Sequence, residues 1–154
     1  MISGRILADV GTNVIQLVIM FTVGILVGFR FNSSLPEIIA GLALLLLIGY
    51  AFSWVFAFIG LTASSPEASN AYGFTILFPL TFIASAFVPV DTMPDWLQPI
   101  AEHNPFTTMV DAARALFIGT PAGNDVWLAV AWSLGIIAVF SMLSVWRYRR
   151  SVVR

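Results

Sequence analysis

An all-α integral membrane protein is the fold class this sequence predicts, with four transmembrane helices and short external amphipathic or re-entrant helices between spans three and four. Three observations carry that expectation. The 154 residues are 59% hydrophobic and 10% charged, whereas a soluble domain is nearer half apolar and a quarter charged. Four segments hold predominantly apolar runs of the roughly 20 residues a helix needs to cross a bilayer. Period-2 alternation is missing, which argues against a barrel. Helices satisfy backbone groups internally, so they are the economical reading of such runs in lipid.

The first span is expected over about residues 6–29, with its polar side chains in the first half. Arg5, Asp9, Asn13 and Gln16 are spaced four, four and three apart and share one helical face. Arg5 and Asp9 sit near headgroup depth, where long side chains snorkel, or at the entrance of a substrate path. Asn13 and Gln16 lie deeper and are expected to face the bundle interior, as candidates for a substrate path or for a helix–helix hydrogen bond. Gly24 and Gly28 have GxxxG spacing, which lets helices approach closely.

"RFNSSLP" (Arg30 to Pro36) reads as a short external turn, with Pro36 able to open the next helix. The second span covers about residues 37–63 and is uncharged from Ile38 to Ala63. "TASSPEASN" (Thr62 to Asn70) is a short cytoplasmic loop, and its "SPE" is a helix start. The third span covers about residues 71–90 with Pro79 in its middle. A proline there removes a helical hydrogen bond and predicts either a static kink or a hinge. The fourth span covers about residues 126–146, with Trp127 and Trp146 at its two ends, where interfacial aromatics belong.

Between the last two spans, residues 91–125 are too patterned for a featureless loop. Thr92 and Asp95 have capping-box spacing ahead of a short helix carrying Trp96, Leu97 and Ile100. Asn104 before Pro105 is a second helix start, and Gly119 followed by Pro121 a helix stop. Phe106, Met109, Val110, Ala113 and Phe117 fall on one face. Thr107, Thr108, Asp111 and Arg114 fall mostly on the other, with Asp111 and Arg114 close enough to pair. Such helices either lie in the outer interface or dip back as a re-entrant hairpin. A helical lid with a packing role is the plainer alternative.

The arginines orient the chain. Arg147, Arg149, Arg150 and Arg154 follow the last span, and positive charge favours the cytoplasmic side. Four spans then place both termini inside, with Arg5 inside and Arg30 and Arg114 outside. No lysine is present, so a Walker GxxxxGK[ST] motif is excluded and ATP hydrolysis is not expected of this chain. Cysteine is absent, and His103 is the single histidine, so no metal site is expected. Only the short tail is basic, and nucleic acid is not an expected partner. The first turns lack the basic and apolar regions of a cleavable signal peptide.

"SSPEASNAYGFTILFPLTFIASAFVPVDTMPDWLQPIAEHNPFTTMVDAARALFIG" resembles the C-terminal part of the type-2 ABC exporter permeases of the daunorubicin-resistance kind. The "SPEASNAYGF" junction, the "FPLTF" proline, the "AFVPVDTMPDWLQPIAEHNP" run and "DAARALFIG" carry the likeness, and the "GRILADV" entry to the first span extends it to essentially the whole chain. The resemblance implies a permease subunit of the plasma or inner membrane, exporting an amphipathic drug-like or lipid-like substrate. It implies a cytosolic ABC ATPase that binds the ATP, with no cofactor in this chain, and a second permease subunit in a homodimer or heterodimer. Ser64, Ser65 and Glu67 would face the ATPase. Trp96, Phe106, Asp111 and Arg114 would belong to an external gate. The family has six spans and this chain the last four, so it is expected to be a partial permease, truncated or completed by a separate polypeptide. A small non-transporting assembly or anchoring subunit is the alternative.

Overall fold

A computed structural model describes the backbone of residues 2–152 and the side chains of residue 4 and residues 7–150. Its six α-helices are α1 (Ile2–Val27), α2 (Leu35–Thr62), α3 (Pro66–Phe82), α4 (Gln98–Glu102), α5 (Pro105–Ile118) and α6 (Asp125–Val152). A 3-10 turn at Val90–Thr92 precedes α4, and no strand occurs among the described residues. Three helices are long and apolar enough to cross a membrane: Leu7–Val27, Leu35–Thr62 and Asp125–Arg150.

Local chemistry sets most helix ends. The Glu37 carboxylate accepts from both the N–H and the hydroxyl of Ser34 at 2.8 Å, closing the start of α2. The Ser65 hydroxyl accepts from the Ala68 N–H at 3.1 Å and opens α3, with Pro66 as its first residue. Gly119, at φ 78°, ends α5 in the left-handed conformation that glycine adopts without a Cβ penalty. There Asn32 O would lie 2.8 Å from an added Cβ.

Gly28 has a different role from the one its spacing suggests. It lies beyond α1 at φ 108°, with Gly28 N–H bonded to Ile25 O and Phe29 N–H to Gly24 O. That pattern is a Schellman stop. The GxxxG reading therefore fails, because Gly28 turns the chain instead of admitting a neighbouring helix.

α2 is the central helix, and α1, α3, α5 and α6 all pack against it. Its small residues set the distances of approach. A Cβ on Gly41 would sit 2.8 Å from the Phe117 ring of α5, and one on Gly49 would sit 2.8 Å from the Asn13 amide nitrogen of α1. Leu44, Met109, Ala112 and Ala129 form the buried core where α2, α5 and α6 meet. Ser133 is fully buried on α6 and returns its hydroxyl proton to Ala129 O at 2.8 Å. At the end away from the α2–α3 loop, Phe21, Phe31 and Phe117 form an aromatic cluster with centroid separations of 5.0 to 5.8 Å.

Between the last two expected spans, α5 packs into the helix bundle against α2 and α6, the contact that a re-entrant hairpin would make. Phe106, at its start, packs on Phe52 with ring centroids 5.0 Å apart, and Phe117, near its end, lies over Gly41. α5 thus runs antiparallel to α2 over about 16 Å. Phe52 lies past the midpoint of α2, so the start of α5 is deep in the bundle.

The expected third span is shifted. α3 begins at Pro66 and stops at Phe82, and residues 83–89 are turns and bends. Its 17 residues rise about 26 Å. Pro79 consequently stands in the last turn of the helix. α6 extends beyond the predicted boundary to Val152 and carries Arg147, Arg149 and Arg150 on its final turns. The Arg150 guanidinium lies 4.0 Å from the centre of the Trp146 ring, a cation–π contact.

Candidate functional site

Two polar features interrupt the apolar bundle. The first lies where α3 unwinds. The Leu80 carbonyl accepts from Asn104 Nδ2 at 2.7 Å. Ser85 is buried; its N–H donates to Thr107 Oγ1 at 3.3 Å, its carbonyl accepts from Arg114 at 3.3 Å, and its hydroxyl donates to Asp111 at 2.7 Å. Arg114 and Asp111 also pair directly at 3.1 Å. Unwound backbone at membrane depth is tolerated only where protein groups satisfy it. Asn104, Thr107, Asp111 and Arg114, at i, i+3, i+7 and i+10 along α5, meet that need as a polar clasp.

The clasp corrects the expected faces of α5. Thr107 and Thr108 are buried together with Met109, Ala112, Ala115 and Phe117. Thr107 belongs inside because its hydroxyl oxygen accepts from Ser85 N–H in the unwound segment after α3. Asn104 performs two tasks: its side-chain oxygen accepts from Phe106 N–H at 3.0 Å, capping α5, while its amide nitrogen holds Leu80.

The second feature is an open cavity of about 660 Å³ between the first half of α1, the second half of α2 and the start of α3. Asp9, Ser53, Phe56, Gly60, Ser69 and Asn70 are among its walls, with Ser64 and Ser65 of the connecting loop. Among the described residues, Asp9 is the one ionisable residue in the lining. Beside the cavity, the Glu67 carboxylate is held below the usual carboxylate range by its own backbone N–H and then by the Ser65 hydroxyl. No group of three or more metal-ligating side chains occurs among the described residues.

Residues 1–118 match the family model described as ABC-2 type transporter. The chain belongs to the ABC-2 type transporter family. Over 148 residues it is 35% identical to the daunorubicin resistance ABC transporter permease protein DrrB1 of Streptomyces coeruleorubidus, covering 96% of this chain and 52% of that protein. It is 23% identical over 147 residues to the probable doxorubicin resistance ABC transporter permease protein DrrC of Mycobacterium tuberculosis, covering 96% and 53%. It is 25% identical over 125 residues to the inner membrane transport permease YhhJ of Escherichia coli, covering 81% and 33%. This ABC-2 chain thus spans about half the length of the first two relatives. No solved structure matches it significantly.

The match ends at Ile118, the last residue of α5, so the clasp and the cavity both fall within the family region. Of the sequence-selected residues, Asp111 and Arg114 enter the clasp and Phe106 packs beside it on Phe52. Trp96 does not join them: it is 72% exposed and precedes α4. The expected cap at Thr92 is also corrected. Its hydroxyl donates back to Pro89 O at 2.8 Å within the 3-10 turn, and α4 begins only at Gln98 without a side-chain cap. Prolines 89 and 94 break this stretch into turns, while Pro99 sits in the first turn of α4.

Asn13 meets α2 at Gly49, whereas Gln16 is exposed. The side chain of Arg5 lies outside the described residues. Ser64 and Ser65 line the cavity and Glu67 stands next to it. Sequence reasoning missed Ser85, whose only signal was a small polar residue soon after a helix-terminating proline region, and it missed the bridging role of Asn104.

Proposed function

We propose that this chain forms part of the transmembrane half of an ATP-driven exporter for amphipathic drug-like or lipid-like molecules. The observation that carries the reading is the family match over residues 1–118, together with the 35% identity to a daunorubicin-resistance permease. Three long apolar helices and an α5 packed against α2 and α6 are the architecture such a role needs.

In this reading the chain lies in the plasma or inner membrane with both termini cytoplasmic, α3 makes a short fourth crossing beside the three long helices, and the remaining spans are supplied by further polypeptide. A cytosolic ABC ATPase binds and hydrolyses ATP and contacts the loop at Ser64, Ser65 and Glu67. A second permease subunit completes the path, with Asn13 and Gln16 on its wall. Closure of the ATPase dimer supplies the free-energy difference between the inward-open and outward-open states. Pro79 and the unwound segment after it are the hinge. α4, α5 and the turn at Trp96 form the external gate, which Asp111 and Arg114 hold shut through Ser85.

The test is co-expression with a cytosolic ABC ATPase subunit. The expected result is a membrane complex whose ATP hydrolysis rises with daunorubicin. A stable particle that never retains the ATPase would sink the exporter and favour an anchoring or assembly subunit.

A further inference from the structure

We propose that the basic end of α6 is a binding site for one anionic phospholipid, centred on Trp146, with Arg149 and Arg150 on the lipid phosphate. The proposal goes beyond the exporter reading and needs only that α6 cross the membrane.

The length of α6 sets the depth. From Trp127 to Trp146 the helix rises about 28 Å, close to the roughly 30 Å of a hydrocarbon core. Both rings are exposed, at 75% and 48%, as interfacial aromatics are. Arg149 and Arg150 follow about one turn further on, in the headgroup layer.

Spacing sets the face. Residues three and four apart are neighbours on a helix. Trp146 therefore has Met142 and Leu143 on its membrane side and Arg149 and Arg150 on its polar side. All five side chains are exposed. The buried Ser133 and Ser144 lie on the opposite side of the helix.

The occupant of this face must lay an apolar chain on Met142, Leu143 and Trp146 and hold negative charge one turn away. A phospholipid has that shape. An acidic protein segment would match the arginines but not the exposed Met142 at hydrocarbon depth. No acidic side chain follows Asp125 in the sequence, so nothing along this helix offsets the arginine charge. The Arg150 guanidinium, 4.0 Å from the centre of the Trp146 ring, is held by that contact where its N–H groups can fork a phosphate. A zwitterionic headgroup would bring its own ammonium to the two arginines, whereas an anionic one brings the phosphate alone.

The experiment titrates the purified full chain in dodecyl maltoside with dioleoylphosphatidylglycerol or dioleoylphosphatidylcholine, and native mass spectrometry counts the bound lipid. One phosphatidylglycerol is expected to bind about tenfold more tightly than phosphatidylcholine, and an equal concentration of inorganic phosphate leaves it in place. Arg149→Gln and Arg150→Gln should each weaken it about fivefold, the increment of one arginine at an anionic surface. Trp146→Ala weakens it and Trp146→Phe, which keeps a ring, restores it. Arg147→Gln removes the same charge one position round the helix and should change binding less than about twofold. Helix content and elution volume check that each variant is folded. Equal affinity for the two lipids, displacement by phosphate, or equal losses for Arg147, Arg149 and Arg150 overturns the site. None of these readouts involves ATP or an exported molecule, so ATPase association stands or falls separately.

Discussion

Asn104 donates its amide to the Leu80 carbonyl at 2.7 Å across 24 residues of chain. The contact joins the first residue before α5 to the last turn of α3. Ala84 N–H, the donor that a continuing helix would offer Leu80, instead bonds to Thr81 O. One side chain therefore satisfies the backbone at two helix ends, since its oxygen also caps α5.

Asn104→Ala removes both bonds. The expected loss of stability is about 1–3 kcal/mol, the range of a helix cap together with an orphaned buried carbonyl. Asn104→Asp keeps the capping oxygen but cannot donate to Leu80, so it should also be destabilised. Thermal unfolding in detergent reads both, and an unchanged midpoint for Asn104→Ala would remove the bridge from the account.

Within the clasp, Asp111 matters more than Arg114. Both are partly exposed, at 34% and 45% of their side chains, and an exposed ion pair contributes about 0–1 kcal/mol. Asp111→Ala strands the buried Ser85 hydroxyl as well, so it should cost more than Arg114→Ala. A double-mutant cycle of Ser85→Ala with Asp111→Ala should show coupling of about 0.5–1.5 kcal/mol. Strict additivity would show that the 2.7 Å contact is energetically idle.

Two glycines of similar geometry should respond differently to alanine. A Cβ at Gly41 would meet the Phe117 ring at 2.8 Å, and one at Gly73 would meet the Phe56 ring at 2.7 Å. Phe117 is buried and flanked by Phe21 and Phe31, so it cannot yield. Phe56 is 44% exposed and can swing aside. Gly41→Ala should cost about 1–3 kcal/mol, partly recovered by Phe117→Leu, while Gly73→Ala stays near neutral. Equal unfolding shifts for the two would contradict this.

Depth can be read by labelling. Cysteines introduced at Asp95 and Trp96 should react with a membrane-impermeant maleimide added from outside intact cells, whereas one at Met109 should resist it. A reactive Met109→Cys would place α5 on the surface and exclude the re-entrant arrangement.

The start of α3 should respond to acid. The Glu67 carboxylate is held below its ordinary range, so its contribution is complete above the unfolded-chain value and disappears as pH falls through the lower, folded one. Amide exchange at Ala68 and Ser69 should quicken in that window for the native chain and not for Glu67→Gln. Identical profiles would dismiss the effect.

Much of the fold was legible because it depends on neighbours in sequence. The long apolar runs, the starts at Ser65 and Asn104, the stop at Gly119 and the Asp111–Arg114 pair each involve residues within one or two helical turns. Gly28 misled because GxxxG spacing does not reveal backbone conformation. Thr92 misled because prolines at 89 and 94 favoured a 3-10 turn over a capped helix.

By itself the sequence determined a lipid-embedded helical chain, where its helices begin, and the residue types available to the two polar features. Only the tertiary structure decided which face of α5 turns inward and where α3 gives way to irregular backbone. Hydrophobic periodicity assigns Thr107 to a polar face, yet Ser85, 22 residues away, needs its hydroxyl. Buried backbone groups must find partners wherever the fold brings them, and that requirement overrides the preference of a side chain for water.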